Sequence, residues 1–278
     1  MSATITAAEV NKLRKITGAG LMDCKKALVE TGGDVEEAID FLRKKGQKVA
    51  EKRADREATE GVVIARTSED GRFGVIVRLS SETDFVSKNE EFIGFANSIA
   101  ELALSERPSS KDDLLGLPLG GATVGEKITE MVGKIGEKIE VAEYATLTGG
   151  AVIPYIHAGY KIGVLTVFNK PGEEVTAIGR DISMQIAAMS PISVDETSVA
   201  EEVKERELAI GREQAIAEGK AENFLDRIAE GKLKKFYKER TLVHQQFVKD
   251  SSKTVAQAIT EVDKDLKVDA FVRVSVGE

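Results

Sequence analysis

The chain carries one cysteine, Cys24, and two histidines, His157 and His244. A single thiol forms neither an intramolecular disulfide nor a thiolate zinc cluster. The histidines lie 87 positions apart, so a histidine-rich metal site is excluded. A Ser-His-Asp relay would have to use one of them, and neither sits in a nucleophile motif. His157 ends a strand-like run before Ala158-Gly159 and reads as a surface or satisfied histidine. His244 lies in a polar stretch. Cys24 stands between Asp23 and Lys25-Lys26. The lysines could activate the thiol, but a small hydrophobe packed in a core is the simpler reading.

Phosphate chemistry is equally poorly served. Gly18-Ala19-Gly20 lacks the third glycine and the preceding strand of a dinucleotide fingerprint, and no GxxxxGK[ST] loop occurs. These glycines read as a helix break. Asp112-Asp113 and Glu173-Glu174 flank Gly or Pro and read as solvent-facing turns, not paired catalytic carboxylates. The most unusual segment is Ser81-Glu82-Thr83-Asp84-Phe85-Val86, between a β run and a helix that Ser87 and Glu90 could box at its start. An Asp beside a Phe at a loop could wedge into a partner, the ring filling an apolar pocket and the carboxylate disturbing a neighbouring charge. Taken alone, such a Phe is expected to be core.

The remaining arithmetic narrows the class. The 278 residues hold 47 acidic and 39 basic side chains, a net charge of −8. That balance argues against direct binding of nucleic acid. Tryptophan is absent and aromatics make up 5%, so a base-stacking platform is not expected. No signal peptide is apparent, and no apolar run approaches the roughly 18 residues of a membrane span. A soluble, cytoplasmic protein without membrane contact is the expectation. The length suggests two domains, with a small third.

The elements that must position these residues follow from period and punctuation. Thr4 or Thr6 caps a helix through Val10, Leu13 and Ile16. A second runs from Leu21 to about Thr31, with Met22, Ala27 and Leu28 as apolar positions. Asp34, with Glu37 three residues on, opens a third, whose stripe is Val35, Ala38, Ile39 and Leu42. Residues 1–46 thus form a three-helix module, and 47–60 a solvated helix or linker. Strands at 62–64 and 73–79 flank the turn Ser68-Glu69-Asp70-Gly71. Helices at 87–104 and 123–136 lead to a strand at 138–147, then to a strand pair at 151–157 and 161–168.

A repeat emerges. Shifting positions 61–79 by 89 aligns Gly61 with Gly150, Ile64 with Ile153, Gly74 with Gly163 and Val75 with Val164. Thr123-Val124 matches Thr254-Val255 at an offset of 131, and Val141 and Tyr144 match Val268 and Phe271 at 127. Two related α+β subdomains with antiparallel sheets follow, spanning 61–148 and 149–190 with 241–278. The offset change places an insertion at 191–240. Its charged helices, 199–217 and 221–238, present Val199, Val203 and Ile210 on one side and Leu225, Ile228 and Phe236 on the other. They read as an antiparallel coiled-coil hairpin, serving either as a solvated excursion or as a docking or dimerisation arm.

Together these segments resemble the bacterial elongation factor Ts family. Leu13 through Leu28 (LRKITGAGLMDCKKAL) is similar to its first signature, and Glu82-Thr83-Asp84-Phe85-Val86 to its second. The order of parts agrees over essentially the whole chain. The resemblance implies a guanine-nucleotide exchange factor for elongation factor Tu, with no enzymatic step and no cofactor of its own; Mg²⁺ belongs to the partner. It implies a ubiquitin-associated-like fold for the first module, with Arg14, Leu21 and Met22 as contacts. It assigns Thr83, Asp84, Phe85 and Val86 to Mg²⁺ displacement, Phe85 as the wedge. His157 and Val248 fall at further contact positions. The alternative is an interaction scaffold with the same helical module and no exchange activity.

Overall fold

The computed structural model describes residues 5–278. It is a mixed α+β structure whose elements follow the chain as α1 (Ala7–Thr17), α2 (Leu21–Glu30), α3 (Val35–Arg53), β1 (Glu60–Thr67), β2 (Phe73–Ser81), α4 (Asp84–Ser87), α5 (Glu90–Glu106), α6 (Lys111–Gly116), β3 (Pro118–Leu119), β4 (Ala122–Thr123), α7 (Val124–Ile135) and β5 (Ile139–Thr148). There follow β6 (Ala151–His157), β7 (Ile162–Phe168), α8 (Glu173–Met189), α9 (Glu201–Ala217), α10 (Leu225–Arg240), β8 (Gln246–Phe247), β9 (Asp250–Thr254), α11 (Val255–Val262) and β10 (Val268–Ser275). Two compact units divide the chain. One holds residues up to Ile64, Val77–Ala145 and Ser275–Glu278; the other holds Ala65–Ile76 and Thr146–Val274.

In the first unit the three N-terminal helices bury Val10, Leu13, Cys24, Ala27, Leu28 and Ala38 together. Thr6 caps α1 in a full capping box with Glu9, Gly18 closes it at φ +67°, and Asp34 caps α3 through the Glu37 amide. Each cap satisfies a helix-end group that would otherwise lack a partner. Ile16 and Met22, which share the apolar positions of α1 and α2 with buried residues, are exposed. The third helix also runs beyond Gly46, to Arg53, so 47–53 is helix and only the residues after it connect to β1. The boxed start at Ser87 is replaced as well. Val86 and Ser87 belong to the single turn α4, and Asn89 caps α5 instead.

The second unit is built on the antiparallel β6–β7 hairpin, registered Ala151↔Phe168 to His157↔Ile162, with β10 beside β7. Helix α8 supplies Val175, Ile182 and Ile186 to its core, joined by Leu242, Phe247, Val255 and Ile259. Glu173 and Glu174 begin α8, and Asp112 and Asp113 begin α6; these acidic pairs lie in first helical turns, where the helix dipole favours them. Helices α9 and α10 lie side by side. Leu225 is buried, as expected of the seam, but Ile210 is exposed, and Gly211, Ala215 and Ala229 are buried instead. A Cβ on Gly211 would stand 3.1 Å from the Ala229 Cα, so small residues set the approach.

The two three-stranded sheets correspond in strand order. The sheets run β1-β2-β5 and β6-β7-β10, each with the closing strand beside the second hairpin strand. In each copy a two-stranded ribbon, β3–β4 or β8–β9, precedes a helix opened by a threonine capping box, Thr123 with Glu126 and Thr254 with Gln257.

Candidate functional site

The segment Glu82–Val86 is one turn of chain held from below and exposed above. Strand β2 ends at Ser81 and Thr83 turns the backbone into α4, whose four residues bury Val86 and Ser87. The opposite side presents Phe85, which is 84% exposed. The reading of this Phe as core is therefore overturned: the one-turn helix points Val86 inward, and its neighbour outward. Phe85 is the most exposed of the large apolar side chains among the described residues. Asp84 stands beside it in a 2.6 Å ion pair with Lys88, one helical turn on. That pair holds the lysine above its ordinary pKa range.

Underneath, the segment is anchored by carboxylates. Arg53 Nη1 donates to both oxygens of Glu82, at 3.0 and 2.8 Å, and the Lys138 amide donates to the same carboxylate at 2.6 Å. Burial pushes the Glu82 pKa up, yet the Lys138 amide and the Arg53 guanidinium together bring it below the usual glutamate range. Glu137 receives the Thr83 amide at 3.0 Å and the Thr83 hydroxyl at 2.7 Å. Glu137 and Lys138 are placed by Gly136, which ends α7 at φ +81°. Arg53, Glu137 and Lys138 were not legible as site residues; the sole hint was that Glu82 lies in the unusual segment.

In the same unit, Arg14 is exposed in the last turn of α1. Leu21 and Met22 open α2 and are 50% and 71% exposed, with Ile16 also uncovered across the turn. Cys24, by contrast, is buried, its sulfur 3.6 Å from the Ala19 carbonyl, as the packing reading holds. The second unit carries His157 and Val248. His157 ends β6, exposed, its Nδ1 2.9 Å from the Tyr155 hydroxyl and its ring stacked on the tyrosine. Ala158, Gly159 and Tyr160 follow at φ +52°, +63° and +71°, a run of left-handed residues that two of the three adopt only under strain. Val248 is held by its backbone: its amide donates at 2.8 Å to Gln185 Oε1, while the side chain stays half-exposed. Gln185 is fully buried and donates through Nε2 to Gln245 Oε1 and the Gln246 carbonyl.

No relay of nucleophile, base and acid is assembled by these contacts. Among the described residues no group of three or more His, Cys, Asp and Glu is placed to hold a metal ion. No described helix is long and apolar enough to cross a membrane. The arrangement suits recognition: exposed apolar side chains on firmly held turns.

Comparison with known proteins gives these surfaces a context. The family model described as "Elongation factor TS" matches residues 82–278. The chain is 51% identical to the Elongation factor Ts of Amoebophilus asiaticus over 274 residues, covering 98% of this chain and 99% of that relative. It is 50% identical to that of Cytophaga hutchinsonii over 277 residues, covering 99% and 100%. The Elongation factor Ts of Chlorobaculum tepidum is 47% identical over 285 residues, covering 98% and 99%. Near-complete coverage at this identity extends the kinship through the N-terminal helices, which the family model does not span, and the chain belongs to the elongation factor Ts family.

Proposed function

We propose that this chain promotes release of GDP from elongation factor Tu during translation elongation in the cytoplasm. The observation that carries the reading is Phe85, an apolar ring almost wholly in water on an anchored turn, with Asp84 at its side. Tight binding of a nucleoside diphosphate to a GTPase depends on Mg²⁺ and on donors around the phosphates. Phe85 inserts into an apolar pocket of the GTPase, and Asp84 disturbs the charges that hold the metal. The state lacking metal and nucleotide is thereby favoured. Linkage requires that GDP weaken the factor's own binding by the same free energy. No bond is made or broken by the factor, so it needs no cofactor, and Mg²⁺ remains the partner's.

Arg14, Leu21 and Met22 form the first contact surface, on a helical module of the ubiquitin-associated type. His157 and Val248 form further contacts from the second core subdomain. The α9–α10 pair acts as a coiled-coil arm, free for contact with a second copy or with the partner. The reading is tested by release of a fluorescent GDP from elongation factor Tu, with and without the chain. Acceleration by the wild type, lost in the Asp84→Ala, Phe85→Ala double variant, supports it. Flat release kinetics with the wild type would favour a scaffold that binds without exchange.

A further inference from the structure

A single helical turn does not hold a shape by itself, because nucleating a helix costs more than one turn returns. Helix α4 has four residues and no side-chain cap. Thr83 occupies its N-cap position, but the hydroxyl that would cap the turn is donated to Glu137. The Thr83 amide goes to the same carboxylate. Immediately upstream, Glu82 is fixed by Arg53 from α3 and by the Lys138 amide. Two adjacent residues are thus pinned by two carboxylate-centred clusters, drawing on α3 and on the segment after α7. Charge-assisted hydrogen bonds of this kind are stronger and more directional than neutral ones. A ring on a loose turn would lose rotational freedom on docking and return less to the partner.

We propose that Arg53, Glu82 and Glu137 are positioning residues for exchange, holding the α4 turn so that Phe85 is presented in its docking orientation before the partner arrives. The inference rests on the reading of Phe85 as the exchange wedge. Neither Arg53 nor Glu137 need touch the partner; both act through the backbone of residues 82–84.

The test is a double-mutant cycle on the full chain, read as GDP release from elongation factor Tu at saturating factor. Glu137→Ala and Arg53→Met each slow release about fivefold or more in the wild-type background, and add less than about 1.5-fold once Phe85→Ala is present. Glu137→Gln, which retains acceptor oxygen, recovers part of the rate. The sequence has no tryptophan, so Phe85→Trp installs a lone tryptophan, excited selectively over the tyrosines, on the turn. Its anisotropy falls when Glu137→Ala is added, a change that a remote loss of stability does not produce. Slow Phe85→Ala with normal Glu137→Ala and Arg53→Met overturns the positioning role alone. Equal slowing in both backgrounds also overturns it. A Phe85→Ala variant that exchanges at the wild-type rate overturns the wedge itself, and positioning with it. If Glu137→Ala does not fold, Arg53→Met on α3 decides the question.

Discussion

Gly46 of α3 and Gly133 of α7 meet backbone to backbone: a Cβ on Gly133 would lie 2.7 Å from the Gly46 Cα, and one on Gly46 would lie 3.0 Å from the Thr129 carbonyl oxygen. Neither atom is the end of a flexible side chain, so any added carbon must push the helices apart.

Gly133→Val is therefore expected to destabilise the protein by about 2–3 kcal/mol, despite a helix propensity better than glycine's. Gly94 of α5 supplies the control, because nothing lies within 4 Å of its missing Cβ. Gly94→Ala is expected to gain up to about 1 kcal/mol. Urea unfolding of the two variants against the wild type measures both; a neutral Gly133→Val would show that the crossing is not tight.

Phe85→Ala separates function from stability. The ring is 84% exposed and buries little, so the unfolding midpoint should move by no more than about 0.5 kcal/mol equivalent. GDP release from elongation factor Tu should nevertheless slow. A large loss of stability would mean that the ring packs against the protein after all.

The Glu82 cluster makes part of the stability acid-sensitive. Its carboxyl titrates below the ordinary glutamate range in the folded protein, held there by the Lys138 amide and Arg53, with Arg56 adding to the positive field. A lowered folded pKa contributes stability that is complete above the unfolded value of roughly 4.3 and is lost as pH falls through the folded value. The stability difference between wild type and Glu82→Gln should hold constant above about pH 5 and shrink below about pH 4. Chemical unfolding from pH 3 to 7 checks this; a difference that grows on acidification would contradict the assigned direction.

Gln185 is the buried device of the second unit. Replacing it by Leu removes the partner of the Val248 amide and of the Gln246 carbonyl, both partly buried. Each lost partner costs about 1–3 kcal/mol, so Gln185→Leu is expected to destabilise by about 2–4 kcal/mol. Hydrogen exchange at the Val248 amide should quicken more than at amides of β6 and β7. Unchanged protection there would show that the bond is not made in solution.

The sequence's legibility follows the range of the forces. Local punctuation was readable: Thr6 and Asp34 cap helices through atoms a few residues away. The recurrence of 61–79 at 150–168 is likewise carried by residues close together in the chain. Helix α8 is less plain: Val175, Ile178, Ile182 and Ile186 stand at helical spacing, but the acidic pair after Pro171-Gly172 has the composition of a turn. Phe85 misled in isolation, since type alone cannot say which way a one-turn helix faces. Arg53 and Glu137 were invisible because they lie 29 and 54 positions from their partners. The helix-pair seam was misread because its contact is made by what Gly211 and Ala215 lack, and hydrophobicity patterns do not register missing volume.

The unbroken run of α3 has one further consequence. Gly46 and Arg53 are seven positions apart, about two turns and roughly 10 Å along the axis, so they share a face to within some 20°. The helix is thus a phased ruler between the α7 crossing and the Glu82 anchor. Adding or deleting one residue between these marks would rotate Arg53 by about 100° relative to Gly46. The chain can vary its surface along this stretch freely, but its length there is quantised.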